Sequence, residues 1–113
     1  MEGIYYVESR PISPEREAEY HAWYDVHIAE ITAIEGFRSA RRFAPIDDDG
    51  PYVTIYELEG DDLRTILATF RAISRSGKMT PAAAVQQAPP PVTRLLRVLP
   101  PGPGSAVPER DRG

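Results

Sequence analysis

The sequence predicts an α+β fold with the element order β-α-β-β-α-β, and three observations carry that expectation. Four segments rich in β-branched and aromatic residues are separated by runs of Pro, Gly and Asp. Two further segments carry apolar residues at three- and four-residue steps, the period of a helix face. The chain of 113 residues is about one domain's worth, on a prior of roughly 100–200 residues per domain. Of its 12 prolines, seven (Pro89, Pro90, Pro91, Pro100, Pro101, Pro103 and Pro108) lie in the last quarter. The folded domain is therefore read as residues 1–99, and residues 100–113 as a Pro/Gly-rich disordered tail with almost nothing to bury.

Each element has a local reason. Residues 3–9, Gly-Ile-Tyr-Tyr-Val-Glu-Ser, suit a strand. Ser13 before Pro14 reads as an N-cap with proline at the first helical position, and Glu15 and Glu17 favour the first turn. Tyr20, Trp23, Tyr24, His27, Ile28, Ile31 and Ile34 then form one stripe of an amphipathic helix that ends before Gly36, with a break near Asp25–Ile28 as an alternative. Phe37 to Ile46 reads as a second strand, with Ser39, Arg41 and Phe43 on one face and Arg38, Ala40, Arg42 and Ala44 on the other. Asp47-Asp48-Asp49-Gly50-Pro51 is a hairpin connection, and Tyr52 to Leu58 is the strongest strand signal. Asp61 or Asp62 caps a second helix, whose stripe is Leu63, Ile66, Leu67, Phe70 and Ile73 and whose end falls near Gly77. Lys78 to Pro91 is a loop or a short helical turn around Ala82–Gln86. Val92 to Leu99 is a fourth strand. This order is the split βαβ, or ferredoxin-like, arrangement: a four-stranded antiparallel sheet with two helices on one face.

Two helices cover one face of such a sheet. Strands 1, 3 and 4 nevertheless carry apolar residues at both parities: Ile4 and Tyr5, Ile55 and Tyr56, Leu95 and Leu96. The second face needs a cover that residues 1–99 do not supply, and a twofold homodimer packed sheet to sheet provides one.

Composition excludes several function classes. With no cysteine, a disulfide scaffold, a thiolate metal site and a Cys nucleophile are all ruled out. The net charge of −4 and pI near 5.1, with Lys78 the single lysine, argue against nucleic-acid binding. No apolar run approaches the roughly 18 residues of a membrane span, and Met1-Glu2-Gly3-Ile4 lacks the basic and apolar regions of a signal peptide. The expectation is a cytoplasmic protein without a membrane partner.

The chemistry concentrates in Tyr20-His21-Ala22-Trp23-Tyr24-Asp25-Val26-His27-Ile28. On a helix Tyr20, Trp23, Tyr24 and His27 share the face that meets the sheet. His27 is either a hydrogen-bonded core histidine or an imidazole tuned for proton transfer by burial, which lowers its pKa, and by carboxylates, which raise it. His21 and Asp25 can pair four residues apart, as an ordinary solvated helix pair. Metal ligation is not expected, because His21 and His27 point to different sides and His27 with Glu30 supplies only two ligands. One of Arg41 and Arg42 faces inward, to hold an anionic substrate or to pair with Glu8 or Glu57. Tyr6, Tyr52 and Tyr56 can offer hydroxyls to the interior.

Glu8-Ser9-Arg10-Pro11, Trp23-Tyr24-Asp25-Val26-His27-Ile28-Ala29-Glu30, Gly36-Phe37, Ala40-Arg41-Arg42-Phe43 and Tyr56-Glu57-Leu58 together resemble the dimeric α+β barrel superfamily. Within it, residues 1–99 are most similar to EthD-like and related small actinobacterial proteins. The resemblance implies a barrel formed by two subunits' sheets, with a pocket between sheet and helices lined by His27, Trp23 and Tyr24. The commoner pattern of that segment is His-Ile-Pro-Glu; here Ala29 stands in place of the proline, which lets the helix run on.

Activities in that superfamily are diverse, so the fold alone does not select one. The leading expectation is a cofactor-independent enzyme of secondary metabolism, performing cyclase, dehydratase or isomerase chemistry on an aromatic or polyketide-like carbonyl compound. In it His27 is the general acid or base, Tyr24 or Tyr6 donates a hydroxyl to the developing oxyanion, and Trp23, Tyr20, Arg41 and Tyr56 line the substrate site. The alternatives are a cofactor-free monooxygenase acting on an aromatic polyketide, and a non-catalytic ligand-binding or accessory protein; haem ligation by His27 is a minor one.

Overall fold

The alternating strand β1 (Glu2–Ser9) occupies the middle of a four-stranded antiparallel sheet, flanked by β3 (Tyr52–Glu59) and β4 (Val92–Arg97). A computed structural model describes residues 1–47 and 49–101. The remaining strand, β2 (Phe37–Phe43), lies outside β3, giving the order β2-β3-β1-β4. Helices α1 (Glu17–Thr32) and α2 (Leu63–Arg75) connect the strands, so the element order and the ferredoxin-like architecture are as expected. Among the described residues, no helix is long and apolar enough to cross a membrane.

Both helices lie on one face of the sheet. Tyr5 of β1, Phe37 of β2, Tyr56 and Leu58 of β3, Ile31 of α1, and Leu63 and Leu67 of α2 form the main buried cluster. Side chains of the opposite strand parity, including Ile4, Tyr6, Val53, Ile55, Arg41 and Phe43, therefore point to the other face. Phe43 and Leu96 there are 41% and 43% exposed. The reversal of parity in β2 has a local cause. Phe37 faces Leu58 while Ser39 faces Glu57, so Arg38 is an extra residue in the ladder and Phe37 shares a face with Ala40 and Arg42.

Several boundaries differ from expectation for identifiable reasons. Ser13 precedes a 3-10 turn, Pro14–Arg16, and its side chain makes no capping hydrogen bond. The α-helix begins only at Glu17 and runs unbroken to Thr32, with no interruption near Asp25–Ile28. Gly36, at φ +99°, makes the reversal into β2 that a Cβ would strain. Asp62, not Asp61, caps α2 by accepting from the Arg64 amide at 3.0 Å. β2 ends at Phe43 and β4 at Arg97, each shorter than read from sequence. Asp48 of the hairpin connection and residues 102–113 of the expected tail lie outside the described residues.

The loop between α2 and β4 holds a single hydrogen-bonded turn, in which the Val85 amide donates to the Ala82 carbonyl at 3.3 Å, and no helical segment beyond it. It runs as a cover over α1 and the end of β1. Ile12 donates its amide to the Ala84 carbonyl, Gln86 donates to the Arg10 carbonyl, and Pro11 bridges to Val85. Ala84 and Val85 are buried against Tyr20 and Tyr24, forming a second cluster with Trp23, Ile28, Tyr52 and Ala82.

Candidate functional site

Helix α1 brings two chemically distinct centres together. Its i, i+3, i+4, i+7 face carries Tyr20, Trp23, Tyr24 and His27, as the spacing requires. The first centre is His27. Its ring stacks on Trp23 at 4.2 Å between centroids and meets the edges of Tyr24 and Phe70, each at 6.1 Å. The side chain is 12% exposed. Its Nδ1 is buried and has no hydrogen-bond partner among the described residues. The nearest carboxylate oxygen, Glu30 Oε1, is 3.9 Å away, too far for a hydrogen bond. Burial dominates over that carboxylate and pushes the imidazole pKa down from 6.5 to about 4, so His27 is neutral at physiological pH.

The cover loop is fastened beside this ring. Trp23 Nε1 donates to the Thr80 carbonyl at 3.0 Å, and the Glu30 carboxylate accepts from the Thr80 amide at 3.2 Å and hydroxyl at 2.8 Å. Glu30 is thereby engaged with the loop rather than with His27, which explains why the histidine keeps its unpartnered nitrogen.

The second centre surrounds Arg42. Tyr20 and Tyr24, 0% and 3% exposed, both place their hydroxyls 2.7 Å from Ser9 Oγ. The Arg42 guanidinium lies over the rings of Tyr24, Tyr20 and Tyr52, at 4.4, 5.5 and 5.8 Å. Its Nη1 is 3.1 Å from His21 Nδ1, and because arginine only donates, that nitrogen is the acceptor. The His21 proton is then assigned to Nε2, which faces Glu17 Oε2 at 3.4 Å, and Tyr52 donates its hydroxyl to the same oxygen. These donors, Tyr52 above His21, hold Glu17 below the usual carboxylate range. Burial lifts the Tyr20 phenol to about 12 and raises Tyr56 further still, so both remain protonated.

Not all of the residues predicted from sequence meet here. Arg42, not Arg41, faces inward; Arg41 lies on the open face of the sheet, with its guanidinium over Phe43 at 5.5 Å. Tyr6 also points to the open face, where it donates to Glu8 at 2.7 Å. The sheet therefore separates Tyr6 and Arg41 from His27, and the anionic partners proposed for the inward arginine are taken, Glu8 by Tyr6 and Glu57 by Ser39 at 2.6 Å. His21 faces Glu17 instead of Asp25, since Tyr52 and Arg42 sit on that side. Tyr56 is buried in the main core, stacked on Tyr5 at 6.0 Å. Tyr24 turns its hydroxyl to Ser9 and presents its ring, not its oxygen, to His27.

Ser9, Glu17 and Thr80 complete the geometry without having been singled out as site residues, and Tyr52, expected to offer its hydroxyl to the interior, gives it to Glu17. Ser9 was accessible through strand parity, being four residues from Tyr5 and so on the same face. Thr80 reaches α1 through a contact 57 residues distant in sequence from Trp23, which no local pattern records. Among the described residues, no group of three or more His, Asp or Glu side chains is arranged to hold a metal ion. No family model, no curated protein and no solved structure matches this chain.

Proposed function

We propose that this chain is a cytoplasmic small-molecule enzyme, working without a cofactor, that moves a proton on an aromatic or polyketide-like carbonyl compound in a cyclisation, dehydration or isomerisation. The observation that carries the reading is His27: a neutral, buried imidazole, stacked on an indole, with Nδ1 satisfied by no group among the described residues. A buried polar atom left unpaired is costly to a fold, and functional centres are where such costs recur. A planar carbonyl substrate entering beneath the cover loop stacks on Trp23. His27 takes the proton from the carbon next to the carbonyl, and negative charge developing on the substrate oxygen raises the affinity of the nearby imidazole for that proton. Trp23 and Phe70 keep water from the exchange.

The open face of the sheet completes the reading. Ile4, Val53, Ile55, Phe43 and Leu96 form an apolar surface there, and a second copy of the chain covers it, as the resemblance to dimeric α+β barrels implies. One observation favours a second reading, ligand binding without turnover: at about 4 the imidazole is a weak base in the closed protein.

Turnover of a panel of aromatic ketones and polyketide-like compounds by wild type, His27→Gln and His27→Ala decides between them. The expected loss in kcat is about 100-fold or more, the ordinary contribution of a positioned acid or base. Saturable quenching of Trp23 with no turnover by wild type supports the binding protein, and turnover unchanged in His27→Ala removes His27 from the chemistry.

A further inference from the structure

We propose that Arg42 is the anchor of a carboxylate-binding site for a compact aromatic acid. Its Nε and Nη2 are both buried and both lack a hydrogen-bond partner among the described residues. These two nitrogens form one edge of the guanidinium, the edge that a carboxylate bridges with two parallel hydrogen bonds. Nη1 donates to His21 Nδ1, and the guanidinium also reaches the Tyr20 hydroxyl; neither contact brings a negative charge to the group. Among the described residues, none of the ion pairs within 4.0 Å involves Arg42.

The surrounding rings explain how the cation is tolerated but not how its edge is used. Tyr20, Tyr24 and Tyr52 attract the positive charge through their ring faces. Their contact is with the charge centre, whereas the N–H bonds of the free edge need acceptor oxygens in the guanidinium plane. A structural arginine in such a position is normally matched by a carboxylate of its own chain. Here Glu17, the nearest acidic member of the network, is held by His21 and Tyr52 instead.

One residue that touches the cage, Ser9, which holds the hydroxyls of Tyr20 and Tyr24, also lines a cleft of about 170 Å³ with Arg10, Pro51, Gln86 and residues 89–91; the lining itself does not include Arg42 or the three tyrosines. Glu8, the cleft's one carboxylate, is engaged by Tyr6. Arg10 adds a second cation at this mouth. One planar fork with aromatic walls fits a monocarboxylate carrying a flat apolar body better than a phosphate, whose higher charge calls for several converging donors. This inference stands independently of whether His27 performs chemistry.

Sodium benzoate is the probe, compared with its uncharged isostere benzamide at matched ionic strength, with thermal unfolding and Trp23 emission as readouts. Benzoate is expected to raise the melting temperature of the wild-type protein and change its emission saturably, while benzamide does neither. Arg42→Lys keeps the charge but loses the fork, and is expected to weaken benzoate at least roughly tenfold, about 1.4 kcal/mol. Arg42→Met is expected to abolish the response while leaving the unliganded melting temperature unchanged or higher, because it removes an unpaired buried charge. Arg42→Lys carries the test if the Met variant does not fold. Benzoate without effect, an equal response to benzamide, or an undiminished response in Arg42→Lys overturns the proposal.

Discussion

The two helices lie on the same face of the same sheet, yet they use that position differently. Helix α2 divides cleanly into an apolar side, with Leu63 and Leu67 buried and Ile66 and Phe70 packed on the core, and an exposed side carrying Arg64, Arg71 and Arg75. Helix α1 buries two tyrosines, stacks a histidine on a tryptophan, and reaches an arginine, a serine and the cover loop through polar atoms. Both helices exclude water from the sheet. Only α1 does so with side chains that retain a proton to give or a lone pair to offer. Hydroxyls, imidazole and guanidinium must each find a partner when buried, and among the described residues two groups go unmatched here, His27 Nδ1 on α1 and, packed against α1 from β2, the Arg42 edge.

The largest test of this contrast removes a purely structural side chain. Leu67→Ala leaves a cavity between α2 and the sheet, at a cost of about 2–5 kcal/mol for a buried leucine. Urea denaturation is expected to show that loss, while the emission of Trp23 below the transition stays as in the wild type. A change in Trp23 emission of the folded variant would show that the helices do not divide structure from site as described.

A smaller effect singles out His27. Its folded pKa of about 4 lies below the ordinary 6.5, so between those values the unfolded chain binds the proton and the folded protein does not. Stability is therefore fully present above about pH 6.5, falls as the pH drops through the window, and levels off below about 4. With 1.36 kcal/mol per pH interval of displacement, the loss is about 3 kcal/mol at most. Urea midpoints at pH 7, 5.5 and 4.5 are expected to decline more in wild type than in His27→Phe, which cannot take up the proton. Parallel declines would place the acid sensitivity elsewhere.

The parts of this contrast that the sequence discloses are those written in short-range periodicity. The α2 stripe, a cap at Asp61 or Asp62 and the aromatic row of α1 follow from helix geometry, and the strands from their β-branched and aromatic composition. Three features needed longer reach. The inward choice of Arg42 over Arg41 depends on which parity of β2 meets the helices, and the extra residue at Arg38 shifts that parity relative to Phe37. His21 had carboxylates four residues away in both directions, Glu17 and Asp25, equivalent by helix geometry; Tyr52 and Arg42, distant in sequence, decide for Glu17. The cover loop has no periodicity, and its buried Ala84 and Val85 are too small to announce a core.

That loop supplies the smallest and most local effect. Glu30→Ala removes the acceptor for both the amide and the hydroxyl of Thr80, leaving Trp23 Nε1 as the remaining polar tie to that residue. The Glu30–Thr80 contacts are exposed, where hydrogen bonds exchange readily with water, so the global stability is expected to fall by about 1 kcal/mol or less. Local opening should respond more clearly. Amide hydrogen exchange at residues 79–86 is expected to accelerate in Glu30→Ala while the β1 and β3 amides stay protected, since opening free energies differ between segments of one fold. The same substitution takes away the carboxylate that, among the described residues, raises the His27 pKa, so the imidazole should become harder still to protonate unless the loosened loop admits water, which would raise its pKa. An NMR titration of His27 in Glu30→Ala separates these outcomes. A pKa below that of the wild type means the loop stays closed over the site, and a pKa returning toward 6.5 means that Glu30, by holding Thr80, keeps the site dry.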